Sequence, residues 1–354
     1  ALDRTPLFAW GKFRWFEGLI PVYYAYERTG EAWLLDLARK FYAQGFNYMA
    51  FYDGEDVMQP TPRRGLWRFD KHVVNTGMAI KAYALSWRLT EKARSGLYSS
   101  TKSSGSISLK NGSALAPDAR PEFEGEKSKR EIFPPQSRPD LAFSVSRETE
   151  RAFPTRMFEI LDRYHGQVTG MFTGDECLSG KSPTQGTELC AVVETMYSLE
   201  HLLAATGDPA FGDRLERIAF NALPATFAPD MWSHQYDQQV NQVQCTINPD
   251  HMWSTNGPES NLYGLEPNFG CCTANMHQGW PKFAAHLWMR AGDGIAAMAY
   301  APSSARFETQ GAQVRVVLET DYPFREALKV TVTTDKAVRF PLVLRVPAWA
   351  EGAT

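Results

Sequence analysis

Two of the five cysteines in this 354-residue chain, Cys271 and Cys272, are adjacent in the run Asn268-Phe-Gly-Cys-Cys-Thr-Ala-Asn-Met276. Neighbouring cysteines do not readily bridge to each other, because closing so small a ring strains the disulfide. Upstream, Gly186-Thr-Glu-Leu-Cys190 offers a third sulfur and, at Glu188, a carboxylate. Three soft sulfurs and one oxygen suit tetrahedral zinc. Ordinary buried thiols are the competing reading, since free cysteine is among the most buried residue types and Glu-x-Cys is not a strong metal spacing. A second carboxylate strengthens the metal reading: Asp175-Glu176 occupies a glycine-rich turn just before the Glu188 segment. A metal-held thiolate beside a free carboxyl can do nucleophilic and acid/base work.

The elements that must position these groups read as helices. Phe13 to Glu27 and Ala32 to Gln44 form an expected pair joined at Arg28-Thr-Gly-Glu31, with Leu34, Leu35, Leu37, Ala38 and Phe41 on one stripe and Gly45 as a stop. Leu189 to Ala205 and Phe211 to Leu223 repeat the device around Thr206-Gly-Asp208. A further helix is expected over Ala79 to Leu89. Repeated helix, turn, helix units are what stacked antiparallel helix pairs look like in sequence. They fit a mainly α fold, either an α/α toroid with a central hollow or an open solenoid.

Residues 93 to 150 break this pattern with a serine-rich stretch and a run rich in proline and charge. They are expected to be a disordered, low-complexity insertion, with helix resuming near Phe153 to Tyr164. Beyond Met289, Ile295–Tyr300, Gln313–Leu318, Leu328–Thr333 and Leu342–Val346 alternate as strands do, like the opening of a β-sandwich. The expected domains are therefore 1–92 with 151–292 as an α/α unit, the insertion 93–150, and a partial β-sandwich over 293–354.

A net charge of −3 and a pI near 6.2 give no electrostatic case for nucleic acid or an anionic membrane. No stretch approaches the roughly 20 apolar residues that span a bilayer. The opening residues lack a signal peptide's pattern, but the chain begins without Met in what reads as folded protein, so more sequence is expected upstream and the location is left open, with only a slight lean to the cytoplasm. Aromatic residues make up 13% of the chain, a content found in sugar-stacking enzymes and in large cores alike.

Gly186-Thr-Glu-Leu-Cys190, Thr206-Gly-Asp208, Glu216-Arg-x-Ala-x-Asn-Ala222 and Cys271-Cys-x-x-Asn275, taken in order, resemble the β-L-arabinofuranosidase family of glycoside hydrolases, family 127 and its relatives. The likeness runs through most of residues 12 to 92 and 151 to 350. It implies an (α/α)6-barrel-like toroid, incomplete here, followed by the start of a β-sandwich. It further implies zinc held by Glu188, Cys190, Cys271 and Cys272, and a retaining mechanism with Cys271 as nucleophile. Glu176 matches the acid/base position, His72 in His-Val-Val-Asn75 a pocket histidine, and Tyr236 in His-Gln-Tyr-Asp237 a tyrosine that contacts the sugar. Further pocket histidines of the family lie before the residue at which this chain starts.

The function so implied is retaining hydrolysis releasing L-arabinofuranose or a similar sugar. The expected partner is a carbohydrate, with no nucleic acid or membrane, and a homodimer is compatible with it. Cys177 and Cys245 read as packed thiols. Trp232, Trp253, Trp280 and the Gln238, Gln239, Asn241, Gln242 group read equally as sugar contacts or as packing and loop support. Two rival functions remain: a non-catalytic α/α scaffold whose structural zinc site supports binding of glycans or a protein partner, and a hydrolase using zinc-bound water.

Overall fold

The computed structural model describes residues 2–61, 66–86, 147–251, 253, 256–264 and 269–353. Most of the expected insertion, residues 93–146, lies outside the described residues. Its last residues are helical, because the helix expected near Phe153 already begins at Arg147.

The fold is mainly helical, with short sheets. Helices α2 (Leu19–Thr29) and α3 (Ala32–Gln44) form the first expected pair. Gly30 between them has φ 68° and donates its N–H to the Tyr26 carbonyl, a left-handed cap that glycine adopts without steric cost. The first helix starts later than its hydrophobic pattern suggests. Residues 9–18 divide into a short helix α1 (Ala9–Phe13) and a 3-10 turn (Trp15–Gly18) before α2. The reason is packing: a Cβ at Gly18 would lie 2.8 Å from the Phe41 ring of α3, so the chain approaches α3 there more closely than a regular amphipathic helix would.

Of the helix expected over Ala79 to Leu89, residues 82–86 are helical and 87–89 lie outside the described residues. After the short helix α4 (Tyr48–Asp53), helix α5 spans Val73–Ala79, and helix resumes over 82–86 after a turn. Helix α6 is Arg147–Tyr164, and α7 is Leu189–Thr206, ended by Gly207 in the left-handed region. Asp208 then caps α8 (Pro209–Arg217) by accepting from Ala210 N at 3.0 Å. The stripe continues through Ile218, Ala219 and Ala222 in a wider turn over Ile218–Ala222.

Helices α5 and α7 cross closely, and this crossing sets the site. A Cβ at Gly77 would lie 2.6 Å from Thr195 Oγ1, and Ser198 Oγ donates to the Gly77 carbonyl at 2.7 Å. Two short strands, β1 (Gly186–Glu188) and β2 (Asp237–Gln239), pair antiparallel ahead of α7, with Glu188 opposite Asp237. Gly186 is required here, since a Cβ would fall on the Asp237 carboxylate. Helices α9 (Gly270–Met276) and α10 (Gly279–Ala285) close the helical part, and both pack on α7.

Six strands follow. Antiparallel β3 (Trp288–Ala291) and β4 (Gly294–Ala297) share a sheet with β8 (Leu342–Leu344), which pairs parallel to β4. Strands β5 (Ser303–Thr309), β6 (Ala312–Glu319) and β7 (Lys329–Thr334) form an antiparallel meander. The sequence reading misses β3 and β5.

Arg345 fastens strands to helices. It is buried, pairs with Asp213 and Glu216 of α8, and donates from Nε to the Met298 carbonyl at 2.8 Å. Glu216 also accepts from Tyr300 N at 2.7 Å and from Tyr322 Oη at 2.6 Å. Buried apolar residues form one cluster that runs through both parts of the chain.

Candidate metal centre and active site

Glu188 ends β1 and precedes the first turn of α7, which carries Cys190, while Cys271 and Cys272 open α9. The packing of α9 on α7 brings the four side chains together, with one ligand atom of each within 4.8 Å of every other. Cys190 Sγ and Cys272 Sγ are 3.4 Å apart. Two sulfurs on a tetrahedral zinc at about 2.3 Å stand about 3.8 Å from each other, so a small adjustment admits the ion. Glu188, Cys190 and Cys272 are buried, whereas Cys271 is exposed.

The donor set fits a cation. Glu188 Oε2 is buried with no hydrogen-bond partner, which burial ordinarily forbids. Burial, with the negative charge of Glu176 and Cys271 nearby, pushes the Glu188 carboxyl well above the usual range. Hydrogen bonds from Cys190 and Cys272 lower the Cys271 thiol below its ordinary range. The same contact with Cys271 raises Cys190, and burial raises Cys272. Placement of Cys271 in the first turn of a helix also favours its thiolate. A divalent cation would compensate the charge that this pocket otherwise suppresses.

Glu188 belongs to a second group as well, with His72 and Glu176, whose ligand atoms also lie within 4.8 Å of one another. His72 is the N-cap of α5 and accepts at Nδ1 from Val74 N at 3.2 Å and Asn75 N at 3.3 Å. With Nδ1 an acceptor, the ring proton sits on Nε2, which lies 3.1 Å from Glu176 Oε2. The Glu176 turn is anchored to the same cap, since Val73 N donates to the Glu176 carbonyl at 2.8 Å.

Three other donors reach Glu176. Trp67 Nε1 donates to Oε2 at 2.7 Å, while Tyr236 Oη at 2.9 Å and Asn256 Nδ2 at 3.0 Å reach Oε1. Burial opposes ionisation, but the hydrogen bonds, led by that of His72, outweigh it and hold the carboxyl below its ordinary range. Tyr236 is buried, stacks on Phe269 with centroids 4.1 Å apart, and its hydroxyl also contacts the Asp175 carbonyl.

The structure thus brings together all seven residues singled out from sequence: Glu188, Cys190, Cys271 and Cys272 in one group, His72 and Glu176 beside Glu188, and Tyr236 against Glu176. It adds Trp67 and Asn256, which sequence reading missed. Trp67 lies five residues before His72, and Trp253 had drawn attention to the stretch that holds Asn256, but neither position carries a spacing that marks it.

The remaining candidates resolve toward support. Cys177 is buried, and burial pushes its thiol up to about 11. Cys245 is exposed rather than packed, its Sγ 3.2 Å from the Asn261 carbonyl. Trp280 stacks on Phe227 and donates to the Ala219 carbonyl, Trp253 donates to Asn261 Oδ1, and Trp232 is 74% exposed. Gln239 braces its loop by donating to the Thr184 carbonyl and accepting from Val243 N.

Known proteins similar to this chain place it in a family. The family model of the β-L-arabinofuranosidase GH127 catalytic domain matches residues 140–285, and that of the GH127 middle domain matches residues 294–354. Between them they cover more than half of the chain. The chain belongs to the GH127 β-L-arabinofuranosidase family.

A solved GH127 β-L-arabinofuranosidase from Geobacillus stearothermophilus T6 is similar at 16% identity with a TM-score of 0.58, over 94% of this chain and 47% of that one. A structure described as a glycoside hydrolase is similar at 17% identity with a TM-score of 0.57, over 94% of this chain and 48% of that one. At such identities the likeness is one of fold. This chain spans about half the length of those structures. No curated protein matches the sequence. Among the described residues no helix is long and apolar enough to cross a membrane.

Proposed function

We propose that this GH127 chain is a retaining glycosidase releasing L-arabinofuranose or a similar sugar, with Cys271 as nucleophile and Glu176 as acid/base. The observation that carries the reading is Glu188, which lies within 4.8 Å both of the three sulfurs and of the His72–Glu176 pair. A nucleophile and a proton carrier therefore share one wall.

Glu188, Cys190, Cys271 and Cys272 would hold zinc, which when bound supplies the positive charge that keeps the sulfurs deprotonated. Among them Cys271 alone is exposed, so its sulfur is the one a sugar can reach. In the first step Cys271 attacks the anomeric carbon while Glu176 gives its proton to the leaving oxygen. In the second, Glu176 takes a proton from the water that releases the sugar. The substrate-free pocket favours the Glu176 carboxylate, the form needed in the second step. For the first step the carboxyl has to be protonated, and the Tyr236 hydroxyl permits this by turning to the Asp175 carbonyl. His72 and Tyr236 line the sugar's side of the pocket in this reading.

The finer architecture is part of the same proposal. Residues 1–92 and 151–292 form part of an (α/α)6 barrel around the site, and residues 293–354 begin a β-sandwich. The repeated helix pairs, the two three-stranded sheets and the boundary between the two matched family models support this division. A homodimer is a further possibility that light scattering on the purified protein decides.

The test is covalent trapping. An arabinofuranose analogue bearing an electrophile at the anomeric position should label the peptide containing Cys271, and Glu176→Gln should abolish turnover of unactivated arabinofuranosides. Labelling elsewhere with full turnover in Glu176→Gln would refute the reading. Zinc-bound-water hydrolysis would leave Cys271 unlabelled, and a non-catalytic scaffold would show no turnover at all.

A further inference from the structure

Glu176 is held by four donors from three stretches of chain, 67–72, 236 and 256, two on each oxygen. A carboxylate has about four lone-pair sites in its plane, so this set fills them and fixes the plane. A free glutamate has a broad terminal torsion, so on its own the group would rotate. The donors differ in kind. His72 and Tyr236 are buried, at 4% and 1% exposure, on elements that the fold already secures. Trp67 and Asn256 reach in from the rim, Trp67 being 39% exposed and Asn256 half-buried.

Both rim residues are themselves anchored. The Trp10 ring meets Trp67, Phe69 and His72 edge-on at 5.1, 5.0 and 5.1 Å between centroids. Asn256 uses its backbone as well, its N–H donating to Asp175 Oδ2 at 2.7 Å while its side-chain Oδ1 accepts from Gly257 N at 2.8 Å. It therefore grips two consecutive residues of the catalytic turn.

We propose that Trp67 and Asn256 are positioning residues for Glu176, holding its carboxyl in the one plane from which it transfers its proton. The chemistry of the donors gives that plane a direction. Trp67 and His72 present N–H groups to Oε2, and an N–H donor cannot turn to accept. On Oε1 the Tyr236 hydroxyl can turn, because the Asp175 carbonyl offers it a second acceptor. Oε1 is therefore the oxygen that carries the transferable proton, and Oε2 is locked as an acceptor.

This inference rests on the proposed role of Glu176, and the experiment separates the two. Turnover by the full-length protein is compared on two arabinofuranosides, one with an activated aryl leaving group that departs without a proton and one with an alkyl leaving group that requires one. Trp67→Phe removes the indole N–H, with the five-membered ring that carries it, and keeps one aromatic ring; Asn256→Ala removes the side-chain donor and leaves its backbone N–H on Asp175. Each is expected to lower kcat/KM on the alkyl substrate by about 10-fold or more, the size expected for a hydrogen bond to a charged group, with its KM within about twofold; kcat/KM on the aryl substrate, set by a first step that needs no proton donor, changes less than about threefold.

Equal losses on both substrates, or a rise in KM alone, would overturn the positioning role, the latter by making Trp67 a sugar contact. Glu176→Gln is the control for the underlying reading. If it retains turnover of the alkyl substrate, the acid/base assignment itself fails, whatever the other variants do. Zinc content and thermal midpoint are measured alongside, and because the variants lie on different segments, misfolding of one leaves the other to decide.

Discussion

Glu188 and Glu216 are both buried carboxylates at the ends of secondary structure, and the fold treats them in opposite ways. Glu216 meets the Arg345 guanidinium, a backbone N–H from Tyr300 and the Tyr322 hydroxyl. Its charge is compensated from within the chain, and the cluster joins helix α8 to the strands. Glu188 meets three thiols and another carboxylate, keeps an oxygen without a partner, and is pushed toward its neutral form. A structural polar cluster is complete as folded; Glu188 keeps an unpartnered oxygen among three sulfurs, a donor set whose chemistry fits a cation.

One substitution made at both positions breaks or sharpens this contrast. Glu216→Met leaves buried Arg345 with Asp213 as its one remaining carboxylate, and is expected to cost about 3 to 5 kcal/mol in urea unfolding, while zinc content per folded chain stays unchanged. Glu188→Met, by comparison, replaces an unsatisfied carboxyl with an apolar group of similar shape. In metal-free protein its effect should be neutral or stabilising, within about 1 kcal/mol, although it abolishes metal binding. Equal destabilisation at both sites would remove the distinction.

Metal removal should fall between these. At free zinc about 100-fold above its dissociation constant, a chelator is expected to lower wild-type stability by about 2.7 kcal/mol and to leave Glu188→Met unaffected, as read by thermal unfolding.

The smallest effect belongs to a third carboxylate. Glu200 is buried with the half-exposed His286 2.8 Å away. Burial disfavours the imidazolium, but the hydrogen bond and charge of Glu200 outweigh it and raise His286 above its ordinary 6.5. A raised histidine contributes stability that is fully present below pH 6.5 and lost as pH rises through its folded value. Because the side chain is 37% exposed, solvent screening keeps the effect small, under about 1 kcal/mol. His286→Gln should therefore flatten the stability profile above pH 6.5 and change little else.

What the sequence made legible follows from chemical scarcity. With five cysteines in 354 residues, an adjacent pair and a Glu-x-Cys stand out, and their convergence needs only that two helix starts meet. The helix of Ala32–Gln44 was equally plain, bounded by a glycine on each side. Trp67 and Asn256 were not visible, because their importance lies in three loops arriving at one carboxyl, and nothing in residue type or spacing encodes that meeting. Strand β5 was missed because, in Ser303–Thr309, Phe307 is the one large apolar residue, too few to show an alternation. The role of Glu216 was hidden for another reason: its partner Arg345 lies more than a hundred residues downstream.

The central claim is that Glu188, Cys190, Cys271 and Cys272 form a zinc site. Metal content by plasma mass spectrometry, on the purified chain and on Cys190→Ser, tests it most directly. About one zinc per wild-type chain, lost in the variant, is the predicted result. Folded wild-type protein purified with zinc available yet containing none, or equal zinc in both proteins, would contradict it.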